Sequence, residues 1–590
     1  MANRSPAPGA SAATDASSMP SRFDKDHPHY RWIALSNTTL GMLMATINSS
    51  IVIISLPAIF RGIHLDPLQP GNVGYLLWII MGFLVVSAVL VVTLGRLGDI
   101  YGRVKMYNLG FAVFSVFSVL LSVDPFTGGQ GAMWLIVMRI GQGIGGAMLF
   151  ANSTAILTDA FPAHQRGMAL GINQVSAIAG SFLGLVLGGL LSEWHWRAVF
   201  WVSVPIGVVA TIWGYRSLVE LGVRRRHARL DIPGNLTFAI GLTALLVAIT
   251  YGIQPYGDHS TGWLNPWVLA GLVGGTALLL AFVLVEQRVE HPMVSIGLFR
   301  IRAFTMANIA GLMAAIGRGG LQFMLIIWLQ GIWLPLHGYS YESTPLWAGI
   351  YLLPLTIGFL AAGPVSGWLS DHFGARYFAT GGSLLVAATF VALLVIPTDF
   401  DYRVFAVITF LNGVGSGLFS APNTTAVMNS VPAHERGAAS GVRGTIFNSG
   451  TSLSIGVFFS LMIVGLANVL PRTLTDGLTG QGVPHQVAAR IGDLPPVGSL
   501  FASFLGYNPM ASLLGPTGVL DTLPRDRVQT LTGKEFFPHL MAGPFHHGLV
   551  VVFGAAAVMM VVAAVTSWAA GGKYVHDDSV GEALGRELTP

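Results

Sequence analysis

GIGGAMLFANSTAILTDAFPAHQRG, residues 143–167, returns as GVGSGLFSAPNTTAVMNSVPAHERG, residues 413–437, without a gap and at an offset of 270. GRLGDIYG (95–102) likewise returns as GWLSDHFG (367–374). A chain that repeats its own pattern over such a distance is built from two related halves. Each long copy is a run of apolar and small residues that ends in a short stretch with His and Arg. That is the pattern of a buried helix leaving its apolar surroundings through a charged turn.

Composition says what those surroundings are. Of 590 residues, 53% are hydrophobic and 10% are charged, against roughly 25% charged in a soluble domain. So little charge cannot cover a water-facing surface, and the abundant glycine suits helices packed closely in lipid. The chain reads as an all-α polytopic membrane protein. A net charge of +4 is too small over this length to argue for a nucleic-acid partner. The absence of cysteine excludes disulfides, thiolate metal sites and cysteine nucleophiles.

Apolar runs of about 18 to 28 residues, each able to cross a hydrocarbon core of about 30 Å as a helix, recur from Trp32 to Ala570. Fourteen are expected, the first starting near residue 33 and the last near 546. The loops GRLGDIYGRVK, AHQRG, VRRRHARLD, EQRVEHPMVSIGLFRIR, DHFGAR and AHERG fall on one side and hold 13 of the 31 Lys and Arg, the densest basic charge among the short loops. The positive-inside rule makes that side cytoplasmic, with both termini inside and the chain in the plasma membrane.

The expected organisation is a disordered tail over 1–30, a six-helix bundle over 31–221, two inserted helices and a linker over 222–303, a second six-helix bundle over 304–570, and a tail over 571–590. A long outer connection, 467–544, is expected to be partly helical at the membrane surface. Two related bundles around a central cavity is a transporter architecture, with the site near the midplane between them.

GRLGDIYGRVK closely resembles the GxLxDxxGR(K/R) signature of the major facilitator superfamily. Arg139 with Gln142 and Gly143 resembles the fourth-span RxxxG motif of its proton-linked members. WHWRAVFWVSVPIG, EQRVEHPMVSIGLFRIRAF and GYSYESTPLWAGIYLLP resemble segments of its fourteen-span drug exporters, the drug:proton antiporters. The resemblance covers nearly the whole chain except the outer connection, and it implies the major facilitator fold: two six-helix bundles plus two inserted central helices. It also implies a conformational latch at Gly95, Asp99, Gly102, Arg103 and Asp159, with Asp371 at the repeat position. On physical grounds the glycines allow close backbone approach, Asp99 accepts backbone N–H groups at a neighbouring helix N-terminus, and Arg103 pairs with Asp159.

Three departures from the family pattern bear on mechanism. Span 1 reads ATINSSIVIISLP, with Asn48 where relatives carry a carboxylate. Span 5 reads AGSFLGLVLGGLL, with Leu185 in place of the proline of the antiporter signature, so its helix should be straighter. Span 13 has Phe447 where an arginine is common, with Arg443 one turn earlier.

GQGIGG (141–146) satisfies the GxGxxG dinucleotide pattern, but it lies within a span, where small residues serve helix packing. No GxxxxGK(S/T) and no HExxH occurs, so ATP-driven pumping and zinc proteolysis have no sequence basis. No enzyme activity, cofactor or metal is expected.

Intramembrane charge points to a site. Arg139, Arg318 and Arg443 lie within spans, with no Asp or Glu at comparable depth. Arg318 is roughly 20 Å from either end of its span, too deep to snorkel. Arg139 and Arg318 therefore face either a watery cavity or a structural hydrogen-bond network. Arg443 either snorkels or has a functional role. Gln142 and Gln322 follow on the same helix faces, and Asn48, Asn173 and Asn412 complete the candidate substrate or proton cavity.

The leading expectation is a monomeric exporter of amphipathic small molecules, drugs or lipids, that works by alternating access and is coupled to protons. A second reading is an anion or lipid carrier without carboxylate-based coupling. A third is a membrane sensor that kept the transporter fold.

Overall fold

The computed structural model of the chain describes residues 29–571 apart from 67, 68, 70, 222–230, 253, 258, 260, 290, 291, 293–295, 433–435 and 507, and apart from the side chains of 163, 164, 166, 167, 371 and 436–438. The tails expected at either terminus, as far as residue 28 and from 572, lie outside the described residues. Tyr30, assigned above to the first tail, instead opens a helix and is buried, its hydroxyl donating to the Val219 carbonyl at 2.8 Å.

Fourteen helices among the described residues are long and apolar enough to cross a bilayer. Spans 1 to 6 are Tyr30–Gly62, Asn72–Tyr101, Arg103–Ser122, Gly128–Ala160, Met168–Trp194 and Ala198–Ser217. Spans 7 and 8, Ile232–Gly252 and Pro266–Glu286, pack chiefly on each other. Spans 9 to 14 are Arg302–Leu336, Thr344–Ser370, Ala375–Val395, Tyr402–Asn429, Ala439–Ala467 and Phe536–Ala569. The last begins ahead of the expected residue 546, because its helix runs through Pro544. Span 5, without its signature proline, is one unbroken helix with its N-terminal turn, Ala163–Trp194.

The repeat shows in the turns. Gly102 joins spans 2 and 3 with φ 114°, and Gly374 joins spans 10 and 11 with φ 93°. Both lie in a region of backbone space that a side chain disfavours, which explains the glycine that ends GRLGDIYG and GWLSDHFG.

The two ends of the bundle differ. At the end that carries residues 470–535, here the loop end, Ile54, Leu56 and Phe60 of span 1 share one apolar core with Trp328, Ile332 and Leu334 of span 9. At the opposite, basic end the halves form separate clusters. One holds Tyr30, Tyr107, Ile156 and Leu218, and the other Phe304, Val427, Ala439 and Val442. Hydrogen bonds that cross the seam include Gln330 Nε2 to the Ile54 carbonyl and Ser452 Oγ to the Leu84 carbonyl, both at 3.2 Å.

The loop connection is not confined to the membrane surface. Its helix Pro496–Phe504 is buried at all nine positions. PVGSLFASF carries no charge and is apolar or small on every face, so it has no side to offer to water. Phe501 stacks on Phe459 of span 13 with centroids 4.8 Å apart. Ser503 donates at 2.8 Å to the carbonyl of Gly331, which lies in a π-helical turn, Leu329–Trp333, of span 9. Among the described residues a hydrogen bond reaches the other half, from Arg61 Nη1 to the Leu505 carbonyl at 3.2 Å. Outside the spans, the Glu342 carboxyl is held below its ordinary value, first by its own backbone N–H and then by Ser340, Arg61 and Lys534.

Loss of the Arg61 bond should loosen this seal. With no native cysteine to interfere, Gln330→Cys reports opening through its labelling rate by a membrane-impermeant maleimide added at the loop end. Adding Arg61→Ala should raise that rate about fivefold, for a contact of about 1 kcal/mol.

Candidate functional site

Three groups of polar residues stand out within the spans. At the basic end, Arg103 Nη1 lies 2.6 Å from Asp159 Oδ1, while its Nε and Nη2 lie 2.9 and 2.8 Å from Asp99 Oδ1. Arg96 approaches the other Asp99 oxygen at 3.9 Å. The N-terminus of span 3 is capped by Glu220 and not, as expected, by Asp99: the backbone N–H groups of Arg103 and Val104 donate to Glu220 at 2.9 and 3.1 Å. Asp99 is taken up by the guanidinium one helical turn away. Glu220 escaped the sequence reading because it sits in an ordinary charged turn after span 6, and only the fold brings it to that helix end. Gly95 faces Ala151 across the contact between spans 2 and 4. The Asp371 side chain lies outside the described residues.

The second group surrounds Arg139. Its Nε donates to the Ile79 carbonyl at 3.2 Å, its Nη1 to Gln142 Oε1 at 2.9 Å, and its guanidinium lies 4.7 Å from the Phe83 ring centre. Gln142 is the hub. Its oxygen also accepts from Asn48 Nδ2 at 2.9 Å, and its Nε2 donates to Ser118 Oγ at 2.8 Å and to Asn48 Oδ1 at 3.3 Å. Arg139 is 1% exposed and Asn48 and Gln142 are fully buried. Of the two alternatives left open by the sequence, Arg139 is held in a closed network and does not line the cavity described next. Asn173 lies apart, donating to Ser153 at 3.1 Å.

The third group does line a cavity, with an empty volume of about 690 Å³, its open mouth included. Asn308 and Arg318 of span 9, Asn412, Ser416, Ser420 and Asn423 of span 12, and Arg443 of span 13 are its polar lining. Phe359, Phe390, Phe419 and Met560 supply much of its apolar wall. All lining residues belong to spans 9 to 14, so this cavity lies within the second half and not between the halves as expected. Arg318 stands over Phe359, its guanidinium carbon 5.1 Å from the ring centre. Arg443 does not snorkel away: its Nη2 donates to Thr424 Oγ1 at 2.6 Å. Gln322 is half-buried and does not line the cavity. Asn308 and Asn423 were missed by the sequence reading, although Asn423 was visible as a polar residue inside the repeated stretch.

The 270-residue offset relates the last two groups. Asn48, Gln142 and Asn173 of the first half correspond to Arg318, Asn412 and Arg443 of the second. One contact is shared, because Asn412 Nδ2 donates to Thr389 of span 11 at 2.8 Å as Gln142 does to Ser118 of span 3. The other two positions carry neutral amides in the first half and arginines in the second.

Known proteins share this architecture. A family model described as the Major Facilitator Superfamily matches residues 38–455. The tetracenomycin C resistance and export protein of Streptomyces glaucescens is 27% identical over 476 residues, 80% of this chain and 84% of that one. The cephamycin export protein of Amycolatopsis lactamdurans is 30% identical over 461 residues, 76% of this chain and 86% of that one. Among solved structures, a bacterial homologue of the human lysosomal transporter Spinster, inward-facing and occupied, aligns with a TM-score of 0.52 at 16% identity. The alignment covers 92% of this chain and 97% of that one, and the likeness is one of fold.

The hub role of Gln142 has a measurable consequence. Gln142→Leu keeps the volume but strands Asn48 and the Nη1 of Arg139, while Arg139 Nε keeps the Ile79 carbonyl and Ser118 its bond to the Phe114 carbonyl, and each orphaned buried group costs about 1–3 kcal/mol. The variant should unfold at a clearly lower temperature in detergent, followed by loss of the monodisperse chromatographic peak. Ser118→Ala, at the edge of the network, should shift that midpoint much less.

Proposed function

The chain belongs to the major facilitator superfamily, and from that premise we propose that it is a secondary active exporter of amphipathic small molecules, drugs or lipids. It works by alternating access and is coupled to the proton gradient. The observation that carries this reading is the pairing of a single core at the loop end with divided cores at the basic end. Beside it is a cavity whose lining is apolar with a few convergent polar groups, as small-molecule sites are. The names of the tetracenomycin C and cephamycin export proteins support efflux as the direction. The basic end is cytoplasmic by the positive-inside rule, which puts both termini inside the cell and the loop helix on the outer face of the plasma membrane. The protein acts as a monomer.

In this reading Asp99, Arg103 and Asp159 tie spans 2, 3 and 4 into a rigid basic end that engages the other half when the inner side closes. Arg139, Gln142 and Asn48 brace the first half, while Arg318, Asn412 and Arg443 meet the substrate. One observation favours a second reading, a carrier without carboxylate-based coupling: no residue lining the cavity is acidic, and Asn48 is bonded to Gln142 at the position where relatives carry an acid.

Purified protein in proteoliposomes should accumulate an amphipathic fluorescent substrate against its gradient when a proton gradient is imposed. A proton ionophore should abolish accumulation under the first reading; under the second the imposed proton gradient should drive none, and only downhill flux insensitive to the ionophore should be seen. Asp99→Asn should lower the transport rate at least severalfold with normal membrane insertion, and full activity of that variant would remove the basic-end cluster from the mechanism. In intact cells, Thr517→Cys should be labelled from outside and Tyr101→Cys protected. The reverse pattern would invert the topology.

A further inference from the structure

We infer that the cavity in the second half is an anion site, which selects amphipathic molecules carrying a single anionic group. This rests on the reading of that cavity as the substrate site. Arg318 and Arg443 both line it, and among the described residues none that lines it is acidic and no carboxylate lies within salt-bridge distance of either arginine. Neither guanidinium is used up. Arg318 stands over the Phe359 ring, a contact that uses no N–H of its fork as a hydrogen bond, and among the described residues no hydrogen bond of that fork is seen. Arg443 donates one N–H to the Thr424 hydroxyl, a contact that fixes its position and leaves its charge uncompensated.

The internal repeat gives this argument its control. At the same two positions the first half carries Asn48 and Asn173. There the amides find amide and hydroxyl partners and the site is closed. A membrane-spanning arginine is costly without a partner, and the second half carries two, both facing one cavity. An anion supplies what neutral partners in that cavity do not, a charge-assisted pair with the guanidinium fork.

The two arginines act at different stages. Gly450 of span 13 packs beside Ala315 of span 9. At 1.5 Å per residue, Arg443 therefore stands roughly 15 Å nearer the basic end than Arg318. Arg443 is the first charge met from that end. Arg318 lies deeper, with Phe359, Phe390 and Met560 lining the same space for the apolar body of the ligand. A charge near the entrance governs association, and a buried, hydrogen-bonding charge governs dissociation.

The test uses the full-length protein in nanodiscs of zwitterionic phosphatidylcholine. The probes are a naphthalene sulfonate and the naphthalene of the same ring size bearing a trimethylammonium group, with binding followed by stopped-flow fluorescence. Wild type should bind the sulfonate at least about tenfold more tightly than the cation. Arg443→Asn should chiefly slow association, Arg318→Asn should chiefly speed dissociation, and each should bring the ratio toward unity. Unchanged thermal midpoints show that the variants are folded, and if Arg318→Asn unfolds, Arg318→Lys tests the same point through partial retention of the preference. Competition by phosphatidylglycerol added to the discs would identify a lipid headgroup as the source of the anion, and its absence would leave a soluble organic anion. Equal binding of both probes by wild type, or a ratio that neither substitution moves, overturns the inference. In sealed proteoliposomes, gradient-driven flux of the cation alone would overturn it while leaving the exporter reading intact, whereas selective sulfonate binding in nanodiscs without flux of any probe in proteoliposomes would overturn the exporter reading and leave the anion site.

Discussion

Hydrocarbon offers no hydrogen-bond partner, so each polar side chain within the spans must find one inside the protein or meet water in a cavity. The arginines divide on this constraint. Arg139 satisfies it internally with the Ile79 carbonyl and Gln142, and the network it joins fastens spans 1, 2, 3 and 4 together. Arg318 has a ring face and open space, and Arg443 a single hydroxyl. The first arrangement serves as scaffold. The second leaves charge exposed to whatever occupies the cavity.

The internal repeat sharpens that division, because both halves began from one plan. Gln142 and Asn412 keep the same amide-to-hydroxyl contact with spans 3 and 11, which marks it as part of the shared scaffold. Arg318 and Arg443 have no charged counterparts at Asn48 and Asn173. Features common to both halves hold the fold, and features confined to one half distinguish what that half does. The apolar loop helix is confined to the second half as well, through Phe459 and Gly331.

Much of the fold was legible because a bilayer imposes a length: an apolar run of about 20 residues is a sufficient signal for a span, and thirteen of the fourteen spans begin close to where the sequence placed them. The exception, span 14, was read late because Pro544 resembles a boundary, yet a helix in lipid tolerates proline when neighbouring helices support it. Burial of PVGSLFASF was not legible, since a nine-residue apolar stretch is equally consistent with a surface helix, and its partners Phe459 and Gly331 are distant in sequence. The site residues were recognisable by type, as charges and amides inside spans. Which of them would close on each other and which would open on a cavity depended on packing between helices, and so Arg139 and Arg318 looked alike in sequence and differ in the fold.

The loop helix also constrains how the loop end can open. Drawing it out of the core would expose Val497, Leu500, Phe501 and Phe504, all buried, at about 1.5–3 kcal/mol each, or roughly 6–12 kcal/mol together. Its hydrogen bond to the first half, with the two bonds that Gln330 and Ser452 make across the seam, amounts to three contacts of about 0.5–1.5 kcal/mol each. The hydrogen bonds are the smaller sum, and the apolar contact of Ile54, Leu56 and Phe60 with span 9 is the rest of what opening at that seam would uncover. A separation between the loop helix and span 1 would leave the burial of the loop helix intact. In the proposed alternating access the helix would then travel with spans 9 and 13, and so would the arginine-lined cavity, which would make the loop-end seal and the candidate binding site parts of one moving body. The first half, braced by Gln142, would be the wall against which that body rocks.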